Sequence, residues 1–321
     1  MNLSKTFRKL LAASFVFLTP FSYAENNQAI KLVVGFSAGG SNDIVARIVA
    51  KKASEILNKN IIVVNQPGAS GMIAAEGVAK AKPDGQTLLI ASPTVLAIAP
   101  YITKTRKYNP LDDFVGIGTV AMNAQVIAVN PKIQVQNLKD LSLLTKERKL
   151  SLASAGASSL SHLTIEMLRA AGMGEVIHVP FKGGLLAAND TIAGHVDGVI
   201  MDIPPLKPFV QSGQLKAIAT TGNNRSNFLP DVPTAHELGY QEINAVNWFA
   251  IVAPKGLDGS LADKLHAAFS KSVKDPEVIN QLANAGIDPM TQQSREDFNK
   301  FLQEEIKKWN NVITAAKIAE Q

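Results

Sequence analysis

The stretch Lys31–Asp43, KLVVGFSAGGSND, is the strongest indication of the fold. Apolar, β-favouring residues run into a loop of glycines and small residues, and a helix then begins with Ser41 or Asn42 as its expected N-cap. A strand that ends in such a loop, just before a helix, leaves several backbone N–H groups pointing at one place. Because those groups and the helix dipole favour a negative charge, the stretch predicts a βα turn that can bind an anion.

A second stretch, Leu150–His162, LSLASAGASSLSH, repeats this pattern about halfway along the chain. Each stretch taken alone is compatible with an ordinary tight βα turn and a helix cap. Taken as a pair, one in each lobe, the two loops favour a clamp around an anionic ligand. The hydroxyl and amide side chains of the two loops belong to Ser37, Ser41, Asn42, Ser154, Ser158 and Ser159.

The first part of the chain predicts strands that alternate with helices. Strands are expected at Ile30–Phe36, Ile61–Val64 and Thr87–Ala91, with a helix after each of the first two. This β-α-β-α-β order predicts a parallel sheet with right-handed crossovers. Ser92 follows the third strand, so we expect it at the same edge of the sheet as the first loop.

Strand and helix alternate again from Leu150 onward, which predicts a second lobe of the same kind. Asp202 ends a predicted parallel strand, so we expect it to face the cleft edge. The long apolar stretches Val115–Val129 and Ile243–Ala253 are expected to cross between the lobes and to serve as the hinge. We therefore expect an α/β protein with two doubly wound lobes joined by crossover strands. The expected boundaries are 25–120 plus 243–321 for lobe 1 and 121–242 for lobe 2.

The C-terminal segment predicts a long amphipathic helix. Ser294 and Asp297 are spaced as in a capping box, in which each residue accepts a hydrogen bond from the other's backbone N–H. Apolar residues then recur at helical spacing from Phe298 to Ile313. Such a stripe is typical of a terminal helix that packs on the first lobe, and we prefer this to a helix that binds a partner.

The first residues, Met1–Ala24, predict a cleavable secretory signal peptide. Lys5–Lys9 are positively charged, Leu10–Phe21 are apolar but too few for a stable membrane span, and Ser22-Tyr23-Ala24 is a small-x-small cleavage site. An uncleaved anchor helix is the alternative, and Pro20 disfavours it because it breaks the apolar run. We expect an exported protein, periplasmic in a bacterium, and a monomer.

Charge and composition exclude several classes of function. The formal charge of the 321 residues is +5, but three basic residues lie in the predicted signal peptide, which leaves 29 basic against 27 acidic residues. That balance offers no case for nucleic-acid binding. The absence of cysteine excludes disulfides and lipid attachment to a cysteine. No spacing of histidines or carboxylates suggests a metal site, and we expect no cofactor.

An enzymatic alternative is an exported serine esterase, because Gly35–Gly39 matches the G-x-S-x-G pattern of a nucleophile elbow with Ser37 as the nucleophile. We disfavour it because such an elbow needs earlier strands to flank it and to supply the oxyanion loop. Dinucleotide binding is disfavoured because Gly39 and Gly40 are adjacent and no acidic residue ends the second strand. The histidines offer no clear catalytic partner; they are His162, His178, His195, His236 and His266.

Motifs that cover nearly the whole mature chain carry a family resemblance. In order, they are KLVVGFSAGGSNDIVAR, NQPGASGMIAAEGVAKAKPDGQTLL, NPLDDF, SAGASSLSHLTIEML, HVPFKGG, AGHVDGVIMD, SGQLKAIA, LPDVPTAHELGY and WFAIVAPKG. Each motif is modest alone, but their order and spacing are specific. The chain resembles the periplasmic substrate-binding receptors of tripartite tricarboxylate transporters, also called Bug receptors. In that family proline is usual where this chain has Gly35.

The resemblance implies a receptor of periplasmic binding protein type II architecture, which closes on its ligand by a hinge and performs no covalent chemistry. It implies a small organic carboxylate as ligand and membrane permease subunits as partners, although a sensor protein would be served by the same closed form. The binding residues expected from the loops are Phe36, Ser37, Ala38, Gly39, Gly40, Ser41, Asn42, Asp43, Ser154, Ala155, Gly156, Ser158 and Ser159. Ser92 and Asp202 complete the expected site, and Lys182 is either a ligand cation or a solvated lysine.

Overall fold

Strands and helices alternate along most of the chain. The structure, a computed structural model, describes residues 28–292 and 294–318, so the predicted signal peptide lies outside the described residues. The strands are β1 (Ile30–Val34), β2 (Ile61–Asn65), β3 (Thr87–Ala91), β4 (Phe114–Val129), β5 (Leu150–Ser154), β6 (Val176–Pro180), β7 (Gly198–Asp202), β8 (Lys216–Thr220), β9 (Val246–Pro254) and β10 (Asp288–Pro289). The helices are α1 (Ser41–Leu57), α2 (Met72–Ala79), α3 (Ala99–Ile102), α4 (Leu138–Glu147), α5 (Leu160–Ala170), α6 (Gly184–Ala193), α7 (Ile203–Gln211), α8 (Gly259–Ser272), α9 (Pro276–Ala285) and α10 (Arg295–Ala315). Within the described residues, no helix is both long and apolar enough to cross a bilayer.

Three parallel strands form the beginning of the sheet. β1 pairs with β2 on one side and with β3 on the other, which confirms the predicted parallel arrangement. Helices cover both faces: α1, α8 and α9 pack on one face, and α2 and α10 pack on the other. This double cover explains why β3 and most of β1 are buried apolar runs, whereas β2 at the edge of the sheet is only half-buried and its Ile62 is exposed.

β4 connects the two halves of the molecule. β9 lies antiparallel between β3 and β4, and residues Phe114–Ala124 of β4 pair with it. Residues Gln125–Val129 of the same strand pair with β7, and the ladder continues through β5 to β6. β5 runs parallel to both β6 and β7, and β8 also pairs with the end of β4. We call residues Asn123–Gln125 of β4, together with their partners Asn247 and Asp202, the seam.

The terminal helix α10 packs against both halves. Ser294 and Asp297 form the predicted capping box, in which each side chain accepts from the other's backbone N–H. The buried stripe that follows contacts β4, the π-helical turn Thr94–Ile98 and α5 of the second half. Glu305 of α10 accepts a hydrogen bond from the Trp248 indole (2.7 Å) and thereby ties α10 to β9. The stripe and its cap were therefore correctly predicted, but the helix packs on α5 of the second half as well as on the first lobe.

Gly116 of β4 allows α10 to approach the sheet closely. A Cβ at this position would overlap the ring of Phe298, the first buried residue of α10. We expect Gly116→Ala to lower the free energy of unfolding by about 1–3 kcal/mol, because the core must shift to admit the methyl group. Urea unfolding followed by circular dichroism measures the change.

Gly77→Ala is the matched control, because Gly77 is exposed on α2 and a Cβ there meets no atom closer than 3.9 Å. We expect this variant to be unchanged or more stable by up to about 1 kcal/mol, since alanine is the better helix former. Equal destabilisation by both variants would contradict the packing described for α10.

Candidate functional site

The first loop, residues 35–40, connects β1 to α1. Gly40 is the N-cap of α1, so the expectation that Ser41 or Asn42 would fill this position is wrong. Gly40 has no side chain, and among the described residues no other side chain caps the first turn of α1. The backbone N–H groups of this turn therefore remain available to a ligand. The exposed residues of the loop are Ser37, Ala38 and Gly39. This arrangement suits an anion placed at the end of α1.

The first loop packs against the loop that follows β2. A Cβ on Gly35 would lie 2.7 Å from the Cα of Gly71, so glycine is required for this approach. A Cβ on Gly71 would in turn lie 3.3 Å from the ring of Phe36. Gly71 belongs to a short turn in which Ala69 and Ser70 have positive φ angles of 45° and 54°. The turn is thereby held beside the predicted binding loop.

Asp43 braces the first loop from behind. Its carboxylate accepts hydrogen bonds from Gly39 N (3.0 Å), Arg47 Nε (2.9 Å) and Asn65 Nδ2 (2.9 Å). Asn65 also donates to the carbonyl of Phe36 (3.1 Å). Burial opposes ionisation of Asp43, but the hydrogen bonds from Arg47, Gly39 and Asn65 outweigh it, and the pKa of the carboxyl is lowered. The carboxylate of this predicted binding residue is thus engaged within the protein.

The second loop, between β5 and α5, differs from the first because its own side chains fill the helix end. Ser159 is the N-cap of α5 and accepts from His162 N (3.2 Å). Ser159 Oγ donates to the carbonyl of Gly156 (2.7 Å), and Ala155 N donates to Ser161 Oγ (3.1 Å). Most of the polar groups predicted to face a ligand therefore bond within the loop. The two loops are similar in sequence pattern but not equivalent in structure.

Two hydrogen bonds join the second loop to the first half of the molecule. Ser70 Oγ donates to the carbonyl of Ala157 (2.9 Å), and Leu160 N donates to Thr94 Oγ1 (3.1 Å). Ser70 and Thr94 were not predicted as site residues. They follow β2 and β3, at the edge where β1 enters the first loop, so the same edge argument that selected Ser92 could have found them.

Asp202 lies at the seam, at the end of β7. Its carboxyl accepts from Asn247 Nδ2 (2.7 Å), and it stands opposite Gln125 in the strand register. Although part of the residue is exposed, the carboxyl is enclosed, and this burial raises its pKa above the ordinary value. The polar side chains around it, Ser41 foremost, oppose the rise. Asp202 therefore lies close to the start of α1, but among the described residues no hydrogen bond joins its carboxyl to Ser41 Oγ.

Several buried polar atoms have no hydrogen-bond partner among the described residues. They are Ser41 Oγ, Asn42 Oδ1, Asn123 Oδ1, Thr220 Oγ1 and Asn247 Oδ1. Ser41 and Asn42 are only 5% and 7% exposed. A buried polar atom without a partner costs about 1–3 kcal/mol, so such atoms are uncommon in proteins and mark places that bind polar groups. Four of the five lie in the first turn of α1 or at the seam, and this grouping indicates a polar site; Thr220 ends β8.

The remaining predicted residues flank this region. Ser92 is buried, and its carbonyl accepts from the amides of Val95 and Leu96 in the turn after β3. Phe181 N donates to the carbonyl of Ser154 (3.1 Å), which places the exposed Lys182 beside the second loop. The structure therefore brings the segment around Lys182 to the site without engaging Lys182 in it.

The histidines with short hydrogen bonds have partners outside the first loop. His178 contacts Ser154 Oγ (2.6 Å), and His266 contacts the carbonyl of Ile117 (2.6 Å). Ser37, the nucleophile of the esterase alternative, is exposed in the first loop. In residues 28–292 and 294–318, no three His, Asp or Glu side chains are grouped so as to hold a metal ion.

A surface hollow lies at the opposite edge of the sheet, at the amino ends of β1 and β3. Its lining mixes apolar side chains with lysine, aspartate and glutamine, and none of the unpartnered buried atoms lies in it. We therefore place the functional site at the two loops. The residues that line the hollow are Gln28, Ile30, Leu57, Lys59, Asp84, Gly85, Gln86, Leu261, Lys264 and Leu265.

Comparisons with known proteins identify the family and the fold of the chain. Residues 45–318 match the family described as tripartite tricarboxylate transporter family receptor. Protein BugT of Bordetella pertussis is 31% identical over 294 residues, which is 90% of each chain. The structure of R. palustris Rpa4515 with adipate superposes with a TM-score of 0.87 at 28% identity, covering 92% of this chain and 99% of the other. MatC (Rpa3494) from Rhodopseudomonas palustris with bound malate gives a TM-score of 0.83 at 27% identity, covering 89% and 98%.

The brace at Asp43 predicts a pH-dependent contribution to stability. Because the pKa of Asp43 is lowered on folding, its contribution is present above about pH 4 and is lost as the pH falls through the folded-state pKa. We expect Asp43→Asn to reduce the free energy of unfolding at pH 7 by about 1–3 kcal/mol. The difference from wild type should shrink at pH 3, and urea unfolding at both pH values measures it.

Asp231→Asn serves as the control, because Asp231 is exposed and changes at such positions usually alter stability by less than about 0.5 kcal/mol. A difference between Asp43→Asn and wild type that stays constant from pH 7 to pH 3 would show that the ionised carboxylate does not brace the loop.

Proposed function

Because the chain belongs to the tripartite tricarboxylate transporter receptor family, we propose that it is an extracytoplasmic receptor that captures a small organic carboxylate between two lobes. The family and the fold are those of periplasmic solute-binding proteins. The receptor then delivers its ligand to the permease subunits of a tripartite tricarboxylate-type transporter. The predicted signal peptide supports export, and the protein acts as a monomer that performs no covalent chemistry.

The observation that carries this proposal is the uncapped start of α1. Its first turn offers backbone N–H groups and the positive end of the helix dipole, while Ser41 presents a buried hydroxyl without a partner. A carboxylate at this place accepts from the amides and from the Ser41 hydroxyl. These donors are neutral, so they hold an anion less firmly than an arginine would, as suits a receptor that must release its ligand.

The second half supplies the opposite wall of the cleft. The second loop approaches the first half through Ser70 and Thr94, and Ser158 lies between the two residues that make these contacts. Each contact is a single neutral hydrogen bond, worth about 0.5–1.5 kcal/mol, so breaking these two contacts costs little. Ligand-bound closure and ligand-free opening can therefore differ by a small free energy.

The hinge of this movement is the seam. Lobe 1 comprises residues 25–120 and 243–321, and lobe 2 comprises residues 121–242. β4 is continuous across the seam, and β9 begins beside it at Val246, so a small rotation of the backbone there separates the two loops. The buried Asn123 and Asn247, which stand opposite each other, lie at the pivot.

Dicarboxylates of four to six carbons are the ligand class we favour. Two structures with similar folds contain adipate and malate. In this chain one carboxylate occupies the start of α1, and the remainder of the ligand lies between the first and second loops. The side chains that line the space between the loops then select among such acids.

Thermal unfolding against a panel of acids tests the proposal. The panel contains adipate, malate and their diamides. A ligand present at 100 times its Kd stabilises the folded state by about 2.7 kcal/mol. We expect a rise of at least about 2 °C in Tm with one of the acids and none with its diamide. The same shift with acid and diamide would contradict an anion site.

Asn42→Asp tests where the carboxylate binds. The change preserves the shape of the side chain but places a negative charge in the first turn of α1, so we expect calorimetry to show at least a tenfold weaker Kd. Asn137→Asp is the matched control, because Asn137 caps α4, a helix that belongs to neither loop, and aspartate caps equally well. Wild-type affinity in Asn42→Asp would place the ligand elsewhere.

A further inference from the structure

Ser158, at the tip of the second loop, has an unusual backbone conformation. Its φ angle is +61°, in the left-handed region that residues with a side chain rarely adopt. Such a conformation persists only where surrounding contacts hold it. Ser158 is 6% exposed, and its neighbours Ala157 and Leu160 make the two hydrogen bonds to the first half. The backbone of Ser158 therefore determines how the second loop meets the first half.

One side chain holds this backbone directly. The amide N–H of Ser158 donates to Nδ1 of His162, one turn into α5, at 3.2 Å. Because Nδ1 accepts, the proton of the neutral imidazole is on Nε2, which faces Glu166 Oε1 at 3.5 Å. The ring thus has a fixed orientation and a fixed tautomer.

A buried network keeps His162 in this orientation. The ring stacks on His178 of β6 with 4.0 Å between the ring centres and 10° between the planes, and His178 contacts Ser154 at the end of β5. Glu166 also pairs with Arg169 on the next turn of α5. Burial disfavours ionised Glu166, but His162 and Arg169 hold its pKa at about 2. Burial also lowers the pKa of His178 to about 4, so the stacked ring is neutral near pH 7.

Capping of α5 does not account for this contact. Ser159 already caps the helix by accepting from His162 N, and Thr94 accepts from Leu160 N. The imidazole of His162 instead reaches back past the helix start to the strained residue in the loop. Nδ1 of His162 therefore accepts from the loop backbone and plays no part in capping α5.

We propose that His162 is a positioning residue, which holds Ser158 in its left-handed conformation and so prepares the second loop to close on the ligand. The inference rests on the proposed function, because it concerns the same cleft. His162 touches no ligand in this account. It acts through the backbone of Ser158, whose hydroxyl and neighbouring peptide groups form the wall of the cleft.

Two substitutions separate the acceptor from the ring. His162→Asn places an amide oxygen close to the former Nδ1 position, so it retains the acceptor for Ser158 N but loses the stack on His178. His162→Phe retains the stack but loses the acceptor. We expect Ser158 N–H in His162→Phe to exchange with solvent at least tenfold faster than in wild type, and in His162→Asn within about threefold of wild type.

Binding should follow the same order. Calorimetry with adipate and with malate should show a Kd at least fivefold weaker in His162→Phe and within twofold of wild type in His162→Asn. Tm is measured for each variant, so that a general loss of stability is distinguished from a change in the loop. If His162→Phe does not fold, His162→Gln replaces it, because its longer side chain carries the amide toward Glu166 and away from Ser158.

The outcomes are distinct. Protection of Ser158 N–H that survives in His162→Phe would overturn the inference, as would a His162→Asn variant that behaves like His162→Phe in both exchange and binding. If wild type binds neither acid, the proposed function fails, whereas the exchange measurement still decides whether His162 positions Ser158.

Discussion

The pairing of β4 with two different sets of strands is the constraint on which the rest of the structure depends. One continuous strand takes β9 as its partner up to Ala124 and β7 from Gln125 onward. The parallel strands of each half are fixed in direction by their pairing with β9 or β7. Because β4 pairs with both, it sets the two halves so that the loops after β1, β3 and β5 meet at one place. The hydrogen bonds from Ser70 and Thr94 to the second loop are the local consequence.

The sequence predicted the first half of the fold well, because its signals are local and strong. The apolar runs around Val33, Val63 and Leu89 form three parallel strands, each within two residues of the predicted bounds. The capping box at Ser294 was recognisable for the same reason, since both of its members lie within one turn. The change of partners along β4 could not be read in this way, because it depends on residues more than 70 positions apart.

The sequence predicted the two loops of the site but not the hydrogen bonds that hold them in place. Sequence pattern located the two loops, but the brace of Asp43 by Asn65 joins residues 22 positions apart, and no local rule pairs them. The N-cap rule placed Ser41 or Asn42 outside the helix, whereas the structure places both in its first turn behind a glycine. Because the cap is a glycine, the backbone N–H groups in the first turn of α1 have no capping side chain. The second loop, which obeys the rule through Ser159, closes its own helix end. The two loops therefore have similar sequences but differently capped helices.

The most direct test of this account is a crystal structure of the protein with bound adipate or malate. The account predicts one ligand carboxylate within about 2.7–3.2 Å of the backbone N–H groups in the first turn of α1, with the ligand enclosed between the first and second loops. A ligand whose carboxylates lie away from α1, for example in the hollow at the amino ends of β1 and β3, would contradict it.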